Sequence, residues 1–223
     1  MQETGSNHIS VLIAKDEFTI NTGCARSEWL GAGLVFSTEE FRRSWDRAEL
    51  SVLTPKFSLV PDSFFDISRA REMLAETVVL SPADDVRTVA VPEFAAHSLY
   101  SVNDGGQLSQ VISGSLGNAE LFPEQYWQLK ALQSIPDYNK IIASYGAGRV
   151  YLTMAQGRSL LISNSFPAGD FTTAQYWIFS LMRNFQLNPE VSTIWFRTPL
   201  EAEWEISLYS YFKSVEFLQK SLI

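Results

Sequence analysis

The sequence predicts an α/β protein built as two lobes, with mixed sheets flanked by helices. Two observations carry this expectation. Stretches alternating in the period of a strand are repeatedly followed by stretches with apolar residues three and four apart, the period of a helix. The order hairpin, helix, strand, helix over residues 9–77 also returns over residues 149–220, as a repeat of element order without similarity of the residues. The 223 residues suffice for one large domain or two small ones and can bury a core without a disulfide or metal staple. The expected division is residues 1–105 for the first lobe and 106–223 for the second.

The elements follow in order. Residues 9–14 and 18–22 are β-rich runs around the polar Lys15-Asp-Glu17, which reads as a hairpin. A third strand is expected over residues 32–37. Thr38 reads as the N-cap of a helix, with Glu39 and Glu40 in its first turn and Phe41, Trp45, Ala48, Leu50 and Val52 on one face. Pro55 ends it, and residues 56–60 form a short strand stopped by Pro61. Asp66 caps a helix reaching about Glu76, with Ile67, Ala70, Met73 and Leu74 on one side. Residues 86–91 alternate like a strand closed by Pro92. Residues 93–102 read as a helix, Asn103-Asp-Gly-Gly106 as a turn, and residues 110–115 as another strand. Pro123 stands in the first turn of a helix that reaches about Ser134.

The last third begins with a hairpin, Val150, Leu152 and Met154 leading through the turn Gln156-Gly157 to residues 159–163. Asp170 or Thr172 caps the next helix, whose stripe is Phe171, Ala174, Trp177, Ile178, Leu181, Met182 and Phe185. Asn188-Pro189 breaks it. Residues 191–196 are apolar enough for a strand buried on both faces. Pro199 opens a final helix, with Leu200, Trp204, Leu208, Tyr211, Phe212, Val215 and Leu218 on its core face and Lys213 and Lys220 toward its end.

Composition narrows the function. With 46% hydrophobic and 19% charged residues the chain is globular rather than disordered. Its net charge of −8 is the wrong sign for neutralising phosphates, so neither nucleic acid nor an anionic membrane is an expected partner. The single cysteine, Cys24, cannot form an internal disulfide and has no Cys–His cluster around it for zinc; it reads as a free thiol in or near the core. The opening residues lack the basic-then-apolar pattern of a signal peptide, and no apolar run approaches the ~20 residues of a membrane helix. The cytoplasm is the expected location.

At this point the chain resembles a bacterial family of unknown function whose members adopt an actin-like ATPase fold, two ribonuclease-H-like lobes. In the first lobe the resemblance rests on Thr54-Pro-Lys-Phe-Ser-Leu-Val-Pro-Asp-Ser-Phe-Phe65. In the second, a hairpin ends in Ser163-Asn-Ser-Phe166, Asp170-Phe171 opens an aromatic-rich helix, and Asn188-Pro-Glu190 leads into a strand and a closing amphipathic helix. The match covers most of the chain in order. It implies where nucleotide chemistry would sit. Active members of the wider superfamily place an acid and a Gly-Thr-rich turn in the first hairpin of each lobe, the turns cradling phosphates and the acids positioning Mg²⁺. Here Lys15-Asp-Glu-Phe-Thr19 has an acid but no glycine, and Ala155-Gln-Gly-Arg158 a glycine but no acid. The resemblance therefore implies a degenerate nucleotide-binding site, and no catalytic, cofactor-binding or metal-binding residue is carried over.

Other candidates have plainer readings. Gly146-Ala-Gly148 feeds a strand rather than the helix N-terminus that a phosphate loop needs, and reads as a flexible turn. A nuclease-like cluster of Asp16, Asp84, Asp85 and Asp170 would have to converge on one site; Asp170 is already a helix cap, and Asp84-Asp85 follow a proline in a loop. His97 reads as a half-buried helical histidine, and His8 and His97 show no triad context. The aromatics Tyr176, Trp177, Phe179, Trp204, Tyr209 and Tyr211 exceed what single core stripes hold. Either they pack between lobes or they form a partner site. The expected function is a non-catalytic cytoplasmic scaffold or binding protein without a cofactor, with a possible protein partner on these C-terminal helices. The alternative is a diverged nucleotide-binding protein or ATPase whose inter-lobe cleft is faced by Asp16, Gln156 and Gly157. A third reading is self-association through the same aromatic helices.

Overall fold

A computed structural model describes residues 7–22 and 25–218. Cys24, Lys220 and the first six residues lie outside the described residues. In chain order the elements are β1 (His8–Ala14), β2 (Glu17–Asn21), β3 (Leu30–Gly31), β4 (Arg47–Val52), β5 (Phe57–Pro61), α1 (Ala70–Ala75), β6 (Arg87–Val91), β7 (Ala96–Tyr100), α2 (Gly106–Ser115) and β8 (Leu121–Pro123). There follow α3 (Glu124–Ala131), β9 (Asn139–Gly146), β10 (Arg149–Gln156), β11 (Ser159–Pro167), α4 (Phe171–Asn184), β12 (Thr193–Phe196), α5 (Ala202–Tyr209) and β13 (Ser214–Phe217).

Two five-stranded sheets share one topology. The first runs β3-β2-β1-β4-β8 and the second β11-β10-β9-β12-β13. In each, three strands meander antiparallel, and two more follow parallel to the first strand of the meander. A third sheet, β5-β7-β6, is antiparallel and is inserted between β4 and β8 of the first lobe. The expected repeat exists, but its second copy begins at β9. The hairpin of residues 150–163 is the second and third strand of that lobe, so the turn equivalent to Lys15-Asp16 is Gly146-Ala-Gly148.

The pleat builds the layers. Ile9, Val11 and Ile13 of β1 point to one face with Leu50 and Val52, where they meet Leu108 and Ile112 of α2. In the second lobe Ile141, Ala143, Val150, Leu152 and Met154 meet Ala174, Ile178 and Met182 of α4 and Leu208 of α5. The opposite faces of the two sheets enclose α3, which is buried nearly all round. At about 25 cal/mol per Å² of apolar surface removed from water, the two cores supply the main stabilisation of their lobes. Residues 106–123, placed in the second lobe by the division at 105, contribute α2 and β8 to the first: β8 pairs with β4, and Leu121 lies in that core.

Several elements differ from expectation, each for a tertiary reason. Residues 32–37 form no strand; β3 ends at Gly31 and a 3₁₀ turn follows. Thr38 caps nothing and its Oγ1 donates instead to the Leu34 carbonyl, while Glu39–Arg42 is one 3₁₀ turn. Residues 47–52 are the central strand β4, whose alternation of Ala48, Leu50 and Val52 with Glu49 and Ser51 competes with the helical spacing from Trp45. Residues 96–100 are the middle strand of the inserted sheet, not a helix, so His97 stands on a strand. Residues 110–115 belong to a helix on which Leu108, Val111 and Ile112 lie at helical spacing. The final helix stops at Tyr209, and Val215 lies on β13 as the last parallel strand.

The caps expected of two aspartates are present. Asp66 accepts from the Ser68 N–H at 2.9 Å. Asp170, rather than Thr172, accepts from the Thr173 N–H at 2.7 Å at the head of α4.

Candidate functional site

The seam between the lobes is the place where the fold could hold a ligand. Its depth is filled. Leu12, Ala14 and Leu53 from the first lobe pack against Tyr151 of β10, all buried, with Trp29 against them. Beneath this lies a polar network around Glu124, which is fully buried at the head of α3. Its carboxylate accepts from Ser51 of β4, from Ser144 Oγ of β9 at 2.6 Å and from Arg197 Nε at 2.8 Å. Gln128, one turn on, donates to Ser144 Oγ at 3.0 Å and to the Tyr151 carbonyl, and accepts from Thr153 Oγ1 at 2.8 Å. Residues of both sheets therefore converge on one helix, and the buried carboxylate accepts from one guanidinium and two hydroxyls, with the Arg26 guanidinium close enough to act on it electrostatically. Burial pushes the Tyr151 hydroxyl well above the ordinary phenol range.

At the mouth of the seam is a cavity of about 400 Å³ formed by β2, the β9–β10 turn and the start of α5. Glu17, Glu28, Glu201, Trp29, Tyr145 and Trp204 line it together with Gly146, Ala147 and Gly148. Burial, and then the neighbouring Asp16 charge, raise the Glu17 carboxyl. Burial, followed by Asp170 and Glu201, raises the Tyr145 phenol. Tyr145 meets Phe171 and Trp204 edge-on, and Phe171 stacks on Trp204 at 4.7 Å.

The two turns at this place differ in what covers them. Lys15 takes the left-handed conformation, φ 51°, in the first turn, and its side chain and that of Asp16 are exposed and 3.9 Å apart. In the second turn Gly148 has φ 66°, a conformation suited to glycine, but the Gly146 backbone is covered. A Cβ placed on Gly146 would lie 2.7 Å from Leu53 Cδ1 and 2.9 Å from Trp29 Cζ2. Leu53 and Trp29 thus cover Gly146, whereas a Cβ placed on Gly148 would meet nothing within 4 Å.

The sequence-derived candidates scatter. Gln156 and Gly157 stand at the far end of β10 from Gly146–Gly148, about 26 Å away at about 3.3 Å per residue, so they do not face a cleft with Asp16. Gly157 N–H instead donates to the Tyr138 carbonyl. Asp84 is buried in the first lobe, where Lys56 Nζ donates to it at 3.0 Å and also to Asp104 at 3.0 Å. Against the burial that would raise it, hydrogen bonds from the Ser81 N–H, Lys56 and Ser101 hold the Asp84 carboxyl at about 2. Asp85 pairs with Arg87 at the surface. Asp16, Asp84, Asp85 and Asp170 therefore sit in four separate settings. His8 is on β1; His97, in another sheet, stacks on Phe65 at 3.8 Å with Nδ1 3.0 Å from Asp62. A larger hollow of about 640 Å³ beside α2 has opposed charges in its wall, Arg87 against Asp85 and Glu120.

Of the C-terminal aromatics named above, Trp204 reaches the mouth of the seam, and the others pack within the second lobe or stay exposed. Trp177 stacks on Phe166, and Phe179 packs against Tyr211 and Phe212 within the second lobe. Tyr176, Ile206, Tyr209 and Tyr211 are left 49–69% exposed. The reading from residues missed Glu124, Gln128 and Arg197. The signal of Glu124 and Gln128 is weak because a polar stripe on a short helix is ordinarily a solvated face, and Arg197 follows β12, 73 residues from Glu124.

Two five-stranded sheets of one topology facing each other across a central helix define the actin-like ATPase fold. The same fold is seen in a Bacteroides thetaiotaomicron protein described as having an actin-like ATPase fold and unknown function, at a TM-score of 0.67 and 12% identity over 98% of this chain and 93% of that one. The chain belongs to the family described as "Protein of unknown function (DUF3822)", whose model matches residues 9–215. More distant likeness, at TM-scores of 0.47 and 0.46, extends to two further structures. One is the cytoplasmic domain of EpsL, an inner-membrane component of the type II secretion system of Vibrio cholerae, at 10% identity over 87% of this chain and 83% of that one. The other is the PilM–PilN type IV pilus biogenesis complex, at 13% identity over 96% and 88%. No curated protein matches the chain in sequence. No helix among the described residues is long and apolar enough to cross a membrane.

Proposed function

We propose that this protein is a non-catalytic cytoplasmic binding module or scaffold, in which the actin-like fold has been kept and its nucleotide site filled. The observation that carries the reading is the cover of Trp29 and Leu53 over Gly146 at the one turn that still has the glycines of a phosphate cradle. The Glu124 network supports it, because opening the lobes would strip a buried carboxylate of donors from both sheets. For the partner, the exposed Tyr176, Ile206, Tyr209 and Tyr211 on α4, α5 and the turn after it offer the residue types enriched at the centres of protein interfaces.

Thermal unfolding with and without millimolar Mg-ATP, ADP and GTP tests this. A ligand at ~100 times its dissociation constant stabilises the folded state by ~2.7 kcal/mol, roughly 5–10 °C for a chain of this size. No shift is expected. A nucleotide-specific shift would overturn the reading in favour of a diverged nucleotide-binding protein, which the Gly146-Ala-Gly148 turn at the equivalent topological position favours.

A further inference from the structure

We infer that the cavity at the mouth of the seam binds an organic cation, an alkylammonium or guanidinium group. The inference rests on the reading of this place as closed to phosphate and names what its walls would accept instead. Three carboxylates, Glu17, Glu28 and Glu201, and three aromatic side chains, Trp29, Tyr145 and Trp204, line one concave space of about 400 Å³. Among the described residues no lysine, arginine or histidine lines it. Aromatic faces carry negative charge toward a cation held over them, and carboxylates beside them add directed hydrogen-bond acceptors. Guanidinium and ammonium ions match both features.

Two helix N-termini, those of α4 and α5, also reach this region and favour anions. Each is worth about half a positive charge. Each also has its own carboxylate at the cap position, Asp170 and Glu201. Asp170 is committed to the Thr173 N–H, whereas Glu201 makes no side-chain cap bond and keeps its acceptors. Full negative charges outweigh the half-charges of the helix ends, and Glu17 and Glu28 add to the excess. Burial, and then the neighbouring Asp16 charge, raise the Glu17 carboxyl, the direction expected where acids lie together.

The test is a titration followed by the indole N–H signals of the tryptophans in a proton–nitrogen spectrum of the full chain. The probes are ethylguanidinium and butylammonium, with N-ethylurea and butanol as neutral counterparts. Short Gly-Ser peptides carrying one arginine or lysine form a further arm. Saturable shifts of Trp29 and Trp204 are expected with the cations only, with Trp127 and Trp177 unmoved. The double variant Glu17→Gln, Glu201→Gln is expected to weaken binding at least tenfold while leaving the Trp127 and Trp177 signals in place, which reports an intact fold. Binding tenfold tighter to the peptides than to the free cations identifies a protein-borne side chain; equal binding identifies a free amine or guanidine. Equal shifts with the neutral probes, shifts at other tryptophans, or no saturation overturns the inference. Mg-ATP in the same spectra separates the two failures. If ATP moves Trp29, the closed-site reading falls as well; if ATP and the cations are both silent, only the cation site falls.

Discussion

Replacing Arg197 by methionine tests the idea that the lobes are locked through Glu124. The guanidinium is 9% exposed and the carboxylate 0%, so water cannot replace the lost partner. Arg197→Met keeps much of the aliphatic volume and leaves the carboxylate with two neutral donors, Ser51 and Ser144. Breaking a buried pair from one side costs about 3–5 kcal/mol, most of it the uncompensated charge. For a chain of this length that corresponds to roughly 6–20 °C in Tm. Replacing both members removes the charge imbalance, so Arg197→Met combined with Glu124→Gln is expected to lose less than half as much. The glutamine can still accept from one serine and donate to the other. Urea unfolding followed by tryptophan fluorescence, with midpoint and slope read separately, provides the energies of the four-member cycle. A loss below about 1 kcal/mol for Arg197→Met, or a double variant equal to the sum of the singles, would refute the argument.

Two more outcomes follow from the same contacts. Asp84 is buried and held at about 2, below its ordinary 3.8, so its stabilisation is present above pH ~4 and lost as the pH falls through ~2. Asp84→Asn should therefore cost about 2 kcal/mol at neutral pH, and urea midpoints of variant and wild type should converge near pH 2; a pH-independent gap would show the charge to be irrelevant. Gly146→Ala drives a methyl to 2.7 Å from Leu53 and 2.9 Å from Trp29 in a closed seam, so a loss of about 1–3 kcal/mol is expected, with a red-shifted Trp29 emission; an unchanged midpoint would mean that the cover over this turn is loose.

Elements in which pattern and punctuation agree are legible in the sequence. The β1–β2 hairpin, β5 before its proline, β6, the hairpin of β10 and β11, and α4 with its Asp170 cap all have an unambiguous period and a stop residue. Strands at the centre of a sheet are harder. Residues 141–143, Ile-Ile-Ala, are buried on both faces of β9, and a short wholly apolar run has no period to distinguish strand from helix. Missing β9 shifted the second copy of the repeat by one strand and moved the candidate phosphate turn from Gly146-Ala-Gly148 to Gln156-Gly157.

The candidate site was legible only in part. The lack of glycine beside Asp16 could be read directly, because what a turn can cradle depends on local residues. That Trp29 and Leu53 cover Gly146 in the second turn could not, since they come from distant parts of the chain and meet it only when the lobes face each other. The same holds for Glu124, Ser51, Ser144 and Arg197. The sequence by itself determined the α/β class, the acidity, the family resemblance and the ends of the well-punctuated elements, all of which depend on neighbours within a few residues. Only the tertiary structure decided which face of α3 is buried, which acids lie together at the cleft and which aromatics stay exposed. Burial and electrostatics depend on distances in space, and contacts between residues 70 or more apart leave no local pattern to read.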